Sequence, residues 1–140
     1  MTKPPEKLWE VRQWIEKAEH DLKNASHTLT LSDSECPFDT ACFHAQQCAE
    51  KYLKGLLVFL KIKFPRVHDL RLLLQLSMQK VPLKLEVSEV VGLNRYTIEG
   101  RYPGEWEPIG RSESEQAVAV ARKVRRAVRK YLPAQAVSWK

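Results

Sequence analysis

The sequence is poor in the residues and patterns that most fold classes need. Five glycines in 140 residues supply little for tight strand turns, and β-branched residues form no alternating run, so no sheet is expected. A membrane-spanning helix needs about 20 apolar residues in a row. The longest apolar candidate here, around residues 55–60, makes only a turn or two of helix. Met1 to Glu10 carry charges and two prolines but no apolar signal core, so a cytoplasmic location without membrane contact is expected. Only three cysteines occur, Cys36, Cys42 and Cys48. Six residues on one helix would set Cys42 and Cys48 roughly 120° apart, and no histidine completes a zinc pattern. They read as small apolar fillers in a reducing compartment, with no metal site. There is no phosphate-binding glycine loop, no His-Glu-x-x-His pair and no glycine-flanked serine, and therefore no expected cofactor.

What is present is a helix-forming composition, 44% hydrophobic and 29% charged, too apolar for disorder. The length suits a single domain over residues 1–140, with a core at about 9–132 and a flexible C-terminal tail at 133–140. The expected fold is all-α, an antiparallel up-and-down bundle of four to five helices. Leu8, Val11, Ile15, Ala18, Leu22, Ala25 and Leu29 alternate three and four apart from a start at Pro5, the seam of a long first helix. A second helix is expected over about 38–61. In it Ala41, Ala45 and Ala49 recur every four residues and invite close approach. Gly55 costs about 1 kcal/mol in a helix interior, which close packing would explain. The later half of this helix is apolar nearly all round, which suggests burial beyond the monomer, as in a dimer.

A third helix is expected from His68-Asp69 to about Gln79 and a fourth over about 85–95. Glycines and prolines at 100–110 mark an ordered loop. Ser112 and Glu115 match a capping box at the start of the last helix, which Pro133 ends. That helix holds Arg122, Lys123, Arg125, Arg126, Arg129 and Lys130 within nine positions, and the net charge of the chain is +6. The cluster is either a solvated face complementing the helix dipole or an attractor of phosphates.

Polar residues gather at the helix junctions. His44, Gln46, Gln47, Glu50, Lys51 and Lys54 lie on the second helix. His68 and Asp69 open the third, and Asn94, Arg95, Tyr96, Arg101 and Tyr102 flank the loop. The run Phe43-His44-Ala45-Gln46-Gln47-Cys48-Ala49-Glu50-Lys51-Tyr52-Leu53-Lys54 resembles the second-helix signature of the HEPN (higher eukaryotes and prokaryotes nucleotide-binding) family. His68-Asp69-Leu70 is similar to the start of that family's next helix, and Asn94-Arg95-Tyr96 through Arg101-Tyr102-Pro103 to its loop. Ala18 and Asp21-Leu22 fit its first helix. The similarity spans roughly residues 9–132.

The resemblance implies a helical bundle, commonly a homodimer. It also implies a minimal nucleotidyltransferase as partner, sometimes in a toxin–antitoxin pair, with a nucleotide or RNA as ligand. Many members are metal-independent ribonucleases built on Arg-x4-6-His. Here no histidine has an arginine five to seven residues before it, and none follows Arg101, so Arg101 lacks its acid–base partner. This argues against an enzyme. It leaves a nucleotide-binding and partner module using Arg101, Tyr102, His68, Asp69, Tyr96, Gln47 and Lys51. One alternative is a ribonuclease in which Arg101 works with His68 or His44. Another is nucleic-acid binding through the basic last helix. Plainer roles are open to each residue: capping for His68 and Asp69, pairing with Glu99 or Glu105 for Arg101, loop packing for Tyr102, and an exposed helix face for His44, Gln47, Glu50 and Lys51.

Overall fold

The computed structural model describes residues 6–97 and 107–137. Among these it contains only helices: α1 (Glu6–Thr28), α2 (Phe38–Phe59), α3 (Leu70–Ser77), α4 (Val87–Gly92), α5 (Arg111–Arg129) and α6 (Ala134–Val137), with a 3-10 turn at Leu93–Tyr96 after α4. The predicted all-helical bundle is correct. Arg101 and Tyr102, with their possible partners Glu99 and Glu105, lie outside the described residues.

The seam of α1 packs as its spacing requires. Val11, Ile15, Ala18 and Ala25 are fully buried, and Leu8, Leu22 and Leu29 border them. Against this seam runs α2, antiparallel, as the cross-links show. Cys36 Sγ reaches the Thr28 carbonyl, Lys51 reaches Asp21, and Gly55 lies on Trp14 and Ile15. Ala41, Ala45, Cys48 and Ala49 are all buried. A Cβ on Gly55 would sit 2.9 Å from Ile15 Cδ1 and 3.2 Å from Trp14 Cβ. Close approach of α1 is therefore the reason for that glycine. Lys61, at φ 60°, closes α2 with a Schellman pair: its N–H donates to Val58 and that of Ile62 to Leu57.

The all-round apolar half of α2 has an explanation inside the monomer. Tyr52, Leu53, Leu56 and Leu57 are fully buried because α2 is the central helix, packed against α1, α3, the 3-10 turn and α5. The sequence argument for a dimer from this face is thereby removed. All three cysteines are buried and none forms a disulfide.

Helix boundaries shift where tertiary bonds take over. The third helix starts at Leu70, since Asp69 is its N-cap and accepts the Arg71 N–H at 3.0 Å. The capping box expected at Ser112 and Glu115 does not form: Gly110 is the N-cap and no side chain caps it. Arg111 sets this start instead. Its guanidinium bonds the Leu29 and Leu31 carbonyls at 2.9 and 2.7 Å and Asp33 at 2.6 Å. The beginning of α5 is so tied to the end of α1, where the helix dipole favours a cation. In place of the loose tail expected from residue 133, α6 adds a helical turn against α1 with Ala136 buried.

One polar network crosses the three long helices. The Tyr52 hydroxyl of α2 donates to Glu19 of α1, which also takes two bonds from Arg125 of α5 at 2.7 and 3.1 Å. Arg129 donates to the Tyr52 oxygen at 3.3 Å and to the Val137 carbonyl at 3.4 Å. Burial alone would raise the Glu19 pKa, but the bonds from Arg125 and Tyr52 and the charges of Arg125 and Arg129 outweigh it and hold the carboxyl below its ordinary value. Burial, then the bond to Glu19, push the Tyr52 hydroxyl up.

Two outcomes follow. Gly55→Val forces α1 off α2, and overpacking of this kind costs about 1–3 kcal/mol, to be read as a lower urea midpoint. Glu19 binds its proton more readily unfolded than folded. Its contribution is thus complete above the ordinary carboxylate value of 4.5 and fades as pH falls through the lower folded value. Urea midpoints measured from neutral pH downward should drop more steeply below that point for the native chain than for Glu19→Gln. Parallel curves would refute the linkage.

Candidate functional site

Two polar stripes run along α2, each meeting a different neighbour. His44 and Lys51, seven residues apart, share one face and converge on Asp21 of α1. His44 Nδ1 lies 2.8 Å from one carboxylate oxygen and Lys51 Nζ donates to the other at 2.5 Å. Gln46, Glu50 and Lys54, four apart, form the second stripe and are all buried. Gln46 Nε2 donates to Glu50 at 2.9 Å, Lys54 Nζ donates at 3.0 Å, and Gln47 Nε2 donates to Gln46 Oε1 at 2.6 Å. The Lys54 ammonium also lies 5.5 Å from the centre of a Trp14 ring.

The second stripe ends at His68, whose Nδ1 stands 3.0 Å from both oxygens of Glu50. Glu50 is 3% exposed and His68 46% exposed, so a buried carboxylate holds an imidazole that faces outward. A neutral ring in this position donates its Nδ1–H to Glu50, and Nε2 then carries the lone pair. With Arg66, Asp69, Asn94 and Thr97, His68 lines a cleft of about 420 Å³.

The walls of that cleft are braced by hydrogen bonds to the side-chain amide of Asn94. Asn94 Oδ1 accepts the Leu70 N–H and its Nδ2 donates to Asp69, both at 2.9 Å. Asp69 thus caps α3 and ties it to the 3-10 turn. Those bonds explain why a His-Asp-Leu run and an Asn-Arg-Tyr run occur in one chain: each supplies half of a bracket.

The predicted residues therefore divide. His68 and Asp69 meet at the cleft. His44 and Lys51 belong to the Asp21 cluster, because a separation of six positions sets His44 and Glu50 roughly 120° apart around α2. Gln47 joins the stripes through Gln46. Tyr96 points elsewhere and donates its hydroxyl to Glu113 of α5 at 2.5 Å; burial, then that bond, raise its pKa. Sequence reasoning gave no site role to Asp21, Arg66 or Thr97. Asp21 carried only the weak signal of sitting in the matching stretch of the first helix, and Arg66 and Thr97 carried none. Glu50 had a readable sign, since Gln46, Glu50 and Lys54 recur every four residues, but its burial is a tertiary fact. No group of three or more His, Cys, Asp or Glu positioned to hold a metal ion is found among the described residues.

A helical bundle with a carboxylate-held histidine at a helix junction is the class that fold and site define. Comparison with known proteins names the family. The HEPN domain family model matches residues 11–131, and the chain belongs to that family. A crystal structure of TT1696 from Thermus thermophilus is similar at 31% identity, covering 87% of this chain and 98% of that one, with a TM-score of 0.67. A crystal structure of ST0689, an archaeal HEPN homologue, is similar at 27% identity, covering 86% and 95%, also with a TM-score of 0.67. A search of curated proteins finds no match.

Removing Glu50 strands the Lys54 charge in the bundle. Breaking a buried pair from one side costs about 3–5 kcal/mol, so Glu50→Ala should lower the denaturation midpoint sharply. Replacing both residues, Glu50→Gln with Lys54→Met, should recover much of the loss. A single variant as stable as the native chain would show the pair to be dispensable.

Proposed function

We propose that this chain is a nucleotide-binding HEPN module, acting as a homodimer with a minimal nucleotidyltransferase as its partner, in the manner of a toxin–antitoxin pair. The observation that carries the reading is the cleft where buried Glu50 orients His68 beside Arg66. Arg66 brings a planar fork suited to phosphate oxygens, and His68 adds a directed ring nitrogen. The amide of Asn94 and the hydroxyl of Thr97 add polar groups to the walls. A volume of about 420 Å³ falls within the range of small-ligand sites. The partner and the dimer rest on family membership alone.

Calorimetry with adenosine and guanosine mono- and triphosphates tests the cleft. Saturable binding that weakens at least about tenfold, or roughly 1.4 kcal/mol, in His68→Ala and in Arg66→Ala is expected. Equal affinity in both variants moves the ligand elsewhere. For the partner, co-expression with a nucleotidyltransferase encoded beside this chain should recover a complex on gel filtration, and separate elution counts against it.

The Glu50–His68 pair also supports a second reading, a metal-independent ribonuclease. A carboxylate-oriented imidazole is suited to take the proton of a 2′-hydroxyl. The leaving oxygen needs a proton donor as well, and the absence of Arg-x4-6-His puts this reading second. Cleavage of RNA in EDTA that disappears in His68→Ala and Arg101→Ala would promote it, and no cleavage by the native protein removes it.

A further inference from the structure

The six cations of α5 and its end are not equivalent. Arg125 is held by Glu19, Arg129 by the Tyr52 hydroxyl and the Val137 carbonyl, and Lys123 by Glu89 at 2.9 Å. These brace the fold. Arg126 and Lys130 have no acidic partner among the described residues, and Arg122 meets the Ser26 hydroxyl at 2.7 Å, which leaves its charge uncompensated. All three are exposed. Spaced four apart, they form one stripe along α5 that rises about 6 Å per step.

A groove lies on each side of this stripe. Between α5 and α1 the space is about 680 Å³, with Lys23 and His27 in the wall beside Arg122 and Arg126. On the other side it is about 460 Å³, with Lys84 in the wall beside Arg126 and Lys130. Together the two linings hold seven lysines and arginines against three acids, an excess of +4, compared with +6 for the whole chain. Two of those acids, Glu19 and Glu89, are already engaged by Arg125 and Lys123. Neither lining shares a residue with the His68 cleft.

The arrangement selects its ligand by shape. Cations strung over about 12 Å of helix match a row of anions, whereas a single phosphate is held by donors converging on one point. Unstacked single strands need aromatic platforms. The walls offer only His27 and Tyr131, and the Tyr131 hydroxyl is bonded to the Pro82 carbonyl at 3.2 Å. A lipid surface calls for protruding apolar side chains, but Leu22 and Leu85 in these walls are partly buried against the core. We propose that the Arg122–Arg126–Lys130 stripe and its two grooves hold the phosphodiester backbone of a nucleic-acid duplex, independently of its sequence and of the His68 cleft.

Fluorescence anisotropy of the full chain with labelled duplexes of about 20 base pairs, titrated with salt, tests this. Duplex RNA, duplex DNA, single strands and phosphatidylcholine–phosphatidylserine vesicles form the arms. Binding of either duplex should weaken more than about 30-fold in the Arg122→Gln, Arg126→Gln, Lys130→Gln variant, and the slope of log affinity against log salt should fall by about 2 to 3. The single Arg126→Gln variant, which breaks no bond described here, should lose part of this. Lys7→Gln, Lys17→Gln, Lys63→Gln removes as much charge from outside the grooves and should stay close to native. His68→Ala should bind the duplex like the native chain, which separates this surface from the nucleotide cleft. The proposal is overturned if the native chain binds no duplex, if single strands or vesicles bind as tightly, or if both triple variants lose equally.

Discussion

Everything in this bundle depends on how closely α1 lies against α2. Ala41, Ala45 and Ala49 are buried on α2, and at Gly55 Ile15 and Trp14 press close to the position a Cβ would take. Dispersion and apolar burial at that distance bury α2 among its neighbours. A helix so enclosed keeps, beyond its first turn, only a narrow half-exposed strip along His44, Gln47 and Lys51, and its other polar groups are buried. Gln46, Glu50 and Lys54 must find partners within the protein, because an unsatisfied buried polar group costs about 1–3 kcal/mol.

That requirement produces the site. Glu50 is buried because α2 is central, and it takes bonds from Gln46 and Lys54 on its own helix and from His68 on the chain leading into α3. The same bonds that stabilise Glu50 fix the orientation of His68 at the cleft. Asp21 does likewise for His44 and Lys51 on the neighbouring stripe. On the α5 side, Glu19 draws Arg125 inward while Arg122, Arg126 and Lys130 stay at the surface. Bracing cations and exposed cations thus come from one helix and differ in whether Glu19, Glu89 or the Tyr52 hydroxyl lies within reach.

Family membership and the geometry of the cleft bear on different questions. Belonging to the HEPN family accounts for the bundle and for the order of the junction motifs. It does not distribute the chemistry, and here Asp69 and Asn94 prove to be structural brackets that shape the cleft. His68, held by Glu50, lines that cleft with Arg66.

The sequence by itself determined the elements whose signal is local. The 3-4 seam of α1, the small-residue face of α2, the helix punctuation by proline, and the junction motifs were all legible because helix periodicity depends only on near neighbours. Tertiary structure alone decided the rest. Arg111 placed the start of α5 by reaching across to α1, Ala136 docked a turn that reads as tail, and the enclosure of α2 turned an apparent dimer face into core. It also separated His44 from His68 by giving each its own carboxylate. These outcomes rest on contacts between residues distant in sequence, whose energies depend on burial and distance in the packed fold, and no local pattern encodes those.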